Sequence, residues 1–256
     1  MRVMTAYHTD VGIHKPINED SLCIQVAETA IGEVVFAIVC DGMGGLQKGE
    51  LASSNVTRAF KEWFEADFPG LIDEPGMREM IFEQWASIIK TQNEVITKYG
   101  ALNRIILGTT ATVFLLIGTD QFLIGHVGDS RVYCINDSIY RLTEDQTVVN
   151  EEIKKGNLTP EEAERDSRRN VLLQCVGATP DVAPAFLSGK VNPGDLYLLC
   201  TDGFRHEISA DEIACELNPR EIPDESALKR VLEKLVRLNM ERGERDNITA
   251  LAIKLS

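Results

Sequence analysis

The sequence predicts an α+β fold, a β-sandwich carrying helices on its outside. Runs of strand length rich in β-branched and aromatic residues outnumber the helical stretches, tight turn signals join several of them, and long amphipathic stretches fall between blocks of strands. With 256 residues, 44% of them hydrophobic and 26% charged, the chain can bury a sizeable core. A single domain over residues 1–256 is expected.

The runs Ser21 to Ala27 and Glu33 to Cys40 read as the first strands. From about Glu50 to Phe68, Ala52, Val56, Ala59, Phe60, Trp63 and Phe64 recur on one helical face, and Pro69-Gly70 ends the helix. A second helix from about Gly76 to Tyr99 carries Met77, Ile81, Trp85, Ile88, Ile89 and Ile96 as its apolar stripe. Thr110 to Ile117, Gln121 to Val127 and Ser130 to Asn136 read as strands, and the turn signals Gly118-Thr119-Asp120 and Asn136-Asp137-Ser138 favour antiparallel hairpins. The densely charged segment from about 144 to 169 differs. Its Thr159-Pro160-Glu161-Glu162 is a helix start, with a threonine cap, proline in the first position and acids in the first turn. It reads as a polar, partly helical flap, whose Lys154, Lys155, Arg168 and Arg169 give it local positive charge. Asp195 to Cys200, a helix from Asp224 to Glu241 with Leu228, Val231, Leu232, Leu235 and Val236 inward, and the strand Ile248 to Lys254 complete the order.

Composition excludes some functions. Lys plus Arg number 26 against 40 Asp plus Glu, a net charge of −14 that repels a nucleic-acid backbone. Apolar runs such as Ala111 to Ile117 fall short of the roughly 20 residues that span a bilayer, and the N-terminus lacks a basic-then-apolar signal. The expectation is a soluble, cytoplasmic protein with no membrane and no nucleic-acid partner. Cys23, Cys40, Cys134, Cys175, Cys200 and Cys215 form no C-x-x-C pair and read as small buried hydrophobes in a reducing compartment.

The chemistry lies in acids at strand ends. The strand Val34 to Cys40 stops at Asp41-Gly42-Met43-Gly44-Gly45, and Leu196 to Cys200 stops at Thr201-Asp202-Gly203. Asn18-Glu19-Asp20 and Arg245-Asp246-Asn247 each lead into a strand, and Gly128-Asp129-Ser130 lies between two. If these ends converge, each carboxylate pair at about 4 Å repels by roughly 4 kcal/mol at an effective dielectric of 20. Hard divalent cations with all-oxygen ligands, Mg²⁺ or Mn²⁺, relieve that repulsion, whereas zinc would call for His or Cys ligands.

In order along the chain, Thr9-Asp10-Val11-Gly12, Asn18-Glu19-Asp20-Ser21, Asp41-Gly42-Met43-Gly44-Gly45, Gly108-Thr109-Thr110-Ala111-Thr112, Val127-Gly128-Asp129-Ser130-Arg131, Leu142-Thr143-Glu144-Asp145-Gln146-Thr147, Cys200-Thr201-Asp202-Gly203-Phe204 and Arg245-Asp246-Asn247-Ile248-Thr249 resemble the motifs of the metal-dependent protein serine/threonine phosphatases of type 2C. The resemblance implies a four-layer α-β-β-α sandwich, two mainly antiparallel sheets flanked by helix pairs, with a two-metal centre at one end. It makes Asp41 the bridge between the ions, Asp202 and Asp246 the partners of the first, and the Gly42 carbonyl a ligand of the second. Glu19 would approach the second ion directly or through water, Asp20 would orient metal-bound waters, and Asp129 with Asp202 would form a weaker third site. Asn247 reads as a residue holding its turn, not as a ligand.

The implied reaction is hydrolysis of phosphoserine and phosphothreonine in proteins by a hydroxide between the two ions, opposing a separately encoded serine/threonine kinase of the Hanks type. Lys15 stands where the family usually has a phosphate-binding arginine, and an ammonium lacks the guanidinium fork. Met43 stands where many members carry a proton-donating histidine. His206 reads as structural. The chain is expected to act as a monomer. The alternative is a non-catalytic phosphoprotein-binding regulator of the same fold, although all five aspartates of the ligand set are present. A calcium-binding structural sandwich would gather its acids in one loop instead of on several strand ends.

Overall fold

The computed structural model describes residues 3–43 and 48–255. The chain opens with β1 (Val3–Asp10), β2 (Ser21–Thr29), β3 (Gly32–Cys40) and the two-residue strand β4 (Gly42–Met43), then forms α1 (Gly49–Ala66) and α2 (Met77–Asn103). Next come β5 (Gly108–Thr109), β6 (Ala111–Ile117), β7 (Gln121–Val127), β8 (Arg131–Ile135) and β9 (Ile139–Arg141). The short helices α3 (Val148–Lys154) and α4 (Pro160–Ala163) precede β10 (Ala185–Lys190) and β11 (Leu196–Cys200). Helices α5 (Ala210–Glu216) and α6 (Glu225–Glu241) lead to the last strand, β12 (Ile248–Leu255).

One sheet has the order β1-β12-β11-β8-β9 and the other β10-β7-β6-β3-β2, every pairing antiparallel. Side-chain alternation explains the layering. In β3, Val34, Phe36, Ile38 and Cys40 pack with Phe60, Trp63 and Trp85 of α1 and α2. The intervening Val35, Ala37 and Val39 pack with Tyr197, Leu199, Leu251 and Ile253 of the opposite sheet. In β12, Ile248, Ala250 and Ala252 face Leu228, Leu232 and Leu235 of α6. Both faces of these central strands are buried, so each reads as a continuous apolar run. The result is four layers, α-β-β-α. No helix among the described residues is long and apolar enough to cross a membrane.

The expected helices form, with α2 running four residues beyond Tyr99 to a left-handed cap at Arg104. The expected stop after α1 is a 3₁₀ turn, Phe68–Leu71, with Pro69 in its first turn. Strands β1 and β10 and helix α5 were not foreseen. Both strands are sheet edges, in which half-exposed residues dilute the apolar signal. Cys40, Cys134, Cys175 and Cys200 are buried and unpaired, but Cys215 is exposed, contrary to its reading as a buried hydrophobe.

The flap is stitched at its root. Gln146 N–H donates to the Gly128 carbonyl at 2.8 Å, and Thr147 bridges Leu172. Its positive charges are largely paired within it: Lys154 with Glu144 at 3.0 Å, Lys155 with Glu151 at 3.5 Å and Arg168 with Asp166 at 2.7 Å.

Candidate active site

Strand register decides which acids meet. Ser21 pairs with Cys40, so Asp20 and Asp41, one residue beyond each, lie side by side at the same sheet end. In the other sheet Cys200 pairs with both Ala250 and Arg131, which brings Asp202, Asp246 and Asp129 to the corresponding end. Thr201 Oγ1 donates to Asp20 Oδ2 at 2.9 Å and joins the two groups across the sandwich.

Asp41 is locked by its backbone. Its N–H donates to Thr110 Oγ1 at 2.8 Å, and its carbonyl accepts from Thr110 N at 2.9 Å and Thr109 Oγ1 at 2.9 Å. The Gly108-Thr109-Thr110 segment therefore holds the acidic turn, a role its sequence did not disclose. Gly42 sits where a Cβ would lie 2.4 Å from the Glu19 carbonyl and 2.5 Å from that of Gly49. Close backbone approach is thus a reason for glycine there. Gly44 and Gly45 lie outside the described residues.

Glu19 is held from three sides: its N–H donates to Asn247 Oδ1 at 2.9 Å, its carbonyl accepts from Ser53 Oγ at 2.6 Å, and Oε1 accepts from Gly49 N at 2.9 Å, at the start of α1. Asn247 Nδ2 donates to the Val11 carbonyl at 2.9 Å and the Ile17 carbonyl at 3.1 Å, which clamps the loop carrying Lys15 and Glu19 onto β12.

The acids are electrostatically one group. Removal from water, then repulsion from Asp202, Asp20, Asp129 and Asp246, drives the Asp41 carboxyl well above its ordinary range. Burial pushes Asp20 up to about 7 against hydrogen bonds from Thr249 and Thr201, with Asp202 and Asp246 adding to the rise. Asp129 likewise rises to about 7 through burial and Asp202, with Arg205 pulling the other way. Asp202 Oδ1 is buried with no hydrogen-bond partner among the described residues.

Three of these aspartates have a basic side chain against them. Lys15 Nζ lies 2.8 Å from Asp246 Oδ1, His206 Nε2 lies 3.3 Å from Asp202 Oδ2, and Arg205 Nη2 lies 3.7 Å from Asp129 Oδ2. His206 Nδ1 is also 3.3 Å from the buried Glu244. Burial works against the imidazolium, but Glu244 and Asp202 raise its pKa overall. Glu244 Oε1 in turn accepts from Arg245 N at 2.7 Å and Asp246 N at 2.8 Å, shaping the Asp246 turn. Sequence reasoning missed Arg205 and Glu244. It set His206 aside although the spacing of four residues from Asp202 was the available signal.

Among the described residues no three His, Cys, Asp or Glu side chains close into a finished cation cage. The donor set nevertheless fits hard divalent ions. It is all oxygen, it includes an orphaned buried Asp202 oxygen, and its mutual repulsion on Asp41 is what a cation between the acids would relieve.

Residues 13–251 match the family described as Protein phosphatase 2C. The chain is 32% identical over 251 residues to protein phosphatase PhpP of Streptococcus pneumoniae, covering 97% of this chain and 96% of that one. The fold is similar to the S. agalactiae serine/threonine phosphatase, with a TM-score of 0.86, 29% identity and all of both chains covered. It is also similar to the catalytic domain of the serine/threonine protein phosphatase PstP in complex with two manganese ions, with a TM-score of 0.77, 27% identity and 99% of each chain covered. On the family match and the PhpP likeness together, the chain belongs to the protein phosphatase 2C family.

Proposed function

We propose that the protein hydrolyses phosphoserine and phosphothreonine in phosphoproteins at the ring of strand-end acids. The observation that carries this reading is the strand register, which sets Asp41 beside Asp20 at one sheet end and Asp202, Asp246 and Asp129 at the corresponding end of the other, with Thr201 Oγ1 bonded to Asp20 Oδ2 between them. Asp41, Asp202 and Asp246 would hold one ion, with Asp41 shared, and Asp41, the Gly42 carbonyl and Glu19 the other. When bound, two Mg²⁺ or Mn²⁺ ions lower the pKa of water at the site and neutralise the charge of the phosphoryl oxygens.

The chain's own residues supply the rest. Asp20, fixed by Thr201, stands beside Asp41 to orient water toward phosphorus. Lys15, about one-third exposed at the rim and paired with Asp246, presents its ammonium to the incoming phosphate. Met43 has no proton to give, so protonation of the leaving oxygen falls to water. Asp129, which the resemblance gives a weaker third ion, has a guanidinium against it, and the proposed centre holds two ions. Residues 1–256 would work as one catalytic unit, monomeric and cytoplasmic, in opposition to a serine/threonine kinase.

The test is phosphopeptide hydrolysis with and without Mn²⁺. Activity is expected to require the metal and to vanish in EDTA and in Asp41→Ala and Asp202→Ala. Turnover surviving the chelator or either substitution contradicts the proposal.

A further inference from the structure

The surroundings of Asp129 differ from those of the other acids. Arg205 follows the 3₁₀ turn Asp202–Phe204, and its side chain is only 13% exposed. Its Nη2 donates to the Asp129 backbone carbonyl at 3.1 Å and lies 3.7 Å from Asp129 Oδ2. The same nitrogen is 3.9 Å from Asp145 Oδ2. Asp145 is itself gripped by Arg131, through Nε at 2.8 Å and Nη2 at 2.5 Å, and Arg141 lies 3.6 Å away. Arg205 is thus wedged between two carboxylates with little freedom to withdraw. A guanidinium does not deprotonate in a protein, so it cannot yield its charge to an arriving cation.

We infer that the Arg205 guanidinium takes the place beside Asp129 that a third metal ion would fill, so that the protein binds two ions and not three. The inference rests on the proposed two-ion centre at Asp41. A dication on Asp129 would meet a fixed positive charge in the same shell. Arg205 also links Asp129 to the flap, because Asp145 lies at the flap root between β9 and α3. Arg205 is a positioning residue in this account and touches no substrate.

The experiment is Mn²⁺ stoichiometry on the full chain, by calorimetric titration and by metal analysis after equilibrium dialysis. The proteins compared are wild type, Asp129→Asn, Arg205→Met, Arg205→Lys and the double variant Asp129→Asn/Arg205→Met. Two equivalents are expected for wild type, Asp129→Asn and Arg205→Lys. Arg205→Met is expected to gain a third equivalent, which the double variant loses. Three equivalents in wild type with one lost in Asp129→Asn overturn the inference, as does a folded Arg205→Met that stays at two. If circular dichroism shows Arg205→Met unfolded, wild type against Asp129→Asn decides alone. Fewer than two equivalents in wild type overturn the two-ion centre itself, and this inference with it.

Discussion

Lys15 Nζ lies 2.8 Å from Asp246 Oδ1, so the residue proposed to receive phosphate is paired with a carboxylate proposed to hold the first ion. Both side chains are about one-third exposed, at 36% and 38%, which limits the pair to the range of surface ion pairs, about 1 kcal/mol at most. In the proposed centre Asp246 would be shared between an ammonium and a metal. Lys15→Met is expected to tighten Mn²⁺ binding up to about fivefold, the equivalent of that energy, while raising KM for phosphopeptide. Lys15→Arg is expected to lower KM through its bidentate fork. Calorimetry and steady-state kinetics check the two effects separately.

The acids make the metal-free protein sensitive to pH. Asp20 and Asp129 are raised to about 7 and Asp41 well upward, so the folded state holds protons that the unfolded chain releases near 3.8. Between those values the native state binds more protons, and its stability falls as pH rises. His206, also raised, acts in the same sense. His126, pushed down to about 4 by burial, acts in the opposite sense below its ordinary value of 6.5. The melting temperature in EDTA is therefore expected to fall from pH 6.5 to 8, and saturating Mn²⁺ is expected to flatten that slope. A melting temperature that rises over this window without metal contradicts the assignment.

Asn247 makes three hydrogen bonds that no smaller residue replaces, accepting from Glu19 N and donating to the Val11 and Ile17 carbonyls. Asn247→Ala is expected to lose about 1–3 kcal/mol of stability by leaving these part-buried groups unpaired, read by urea unfolding. Through the displaced Glu19 it is also expected to weaken metal binding about 10- to 100-fold. Asn247→Asp keeps the acceptor but not the donor, so it is expected to fall between the two.

Gly42→Ala places a Cβ 2.4 Å from one carbonyl oxygen and 2.5 Å from another, both backbone atoms with little room to shift. A loss of about 1–3 kcal/mol is expected in thermal or denaturant unfolding, together with reduced activity as Glu19 moves away from Asp41.

The fold was legible where burial is two-sided or strictly periodic. β3 and β12 read as apolar runs because both faces are covered, and α1, α2 and α6 showed one stripe each. β1 was hidden because Tyr7, His8 and Thr9 dilute its apolar character; pairing with β12 along its whole length is what makes it a strand. For α5 a signal existed and was overlooked: Ser209 and Glu212 form a complete capping box. At the site, Asp-Gly turns and short acidic lead-ins marked the carboxylates. His206 stands four residues from Asp202 and was legible, but the longer-range contacts were not, because they are tertiary. Arg205 meets Asp129 across 76 residues and Asn247 meets Ile17 across 230, so neither pairing leaves a trace in local spacing.

The central claim is that acids from separate strand ends share cations around Asp41. An anomalous difference map from a Mn²⁺-soaked crystal tests it most directly. Two peaks about 3.5–4 Å apart are predicted, with Asp41 between them and Asp202 and Asp246 on one peak. No peak within reach of Asp41, or Asp202 and Asp246 on different ions, would contradict it.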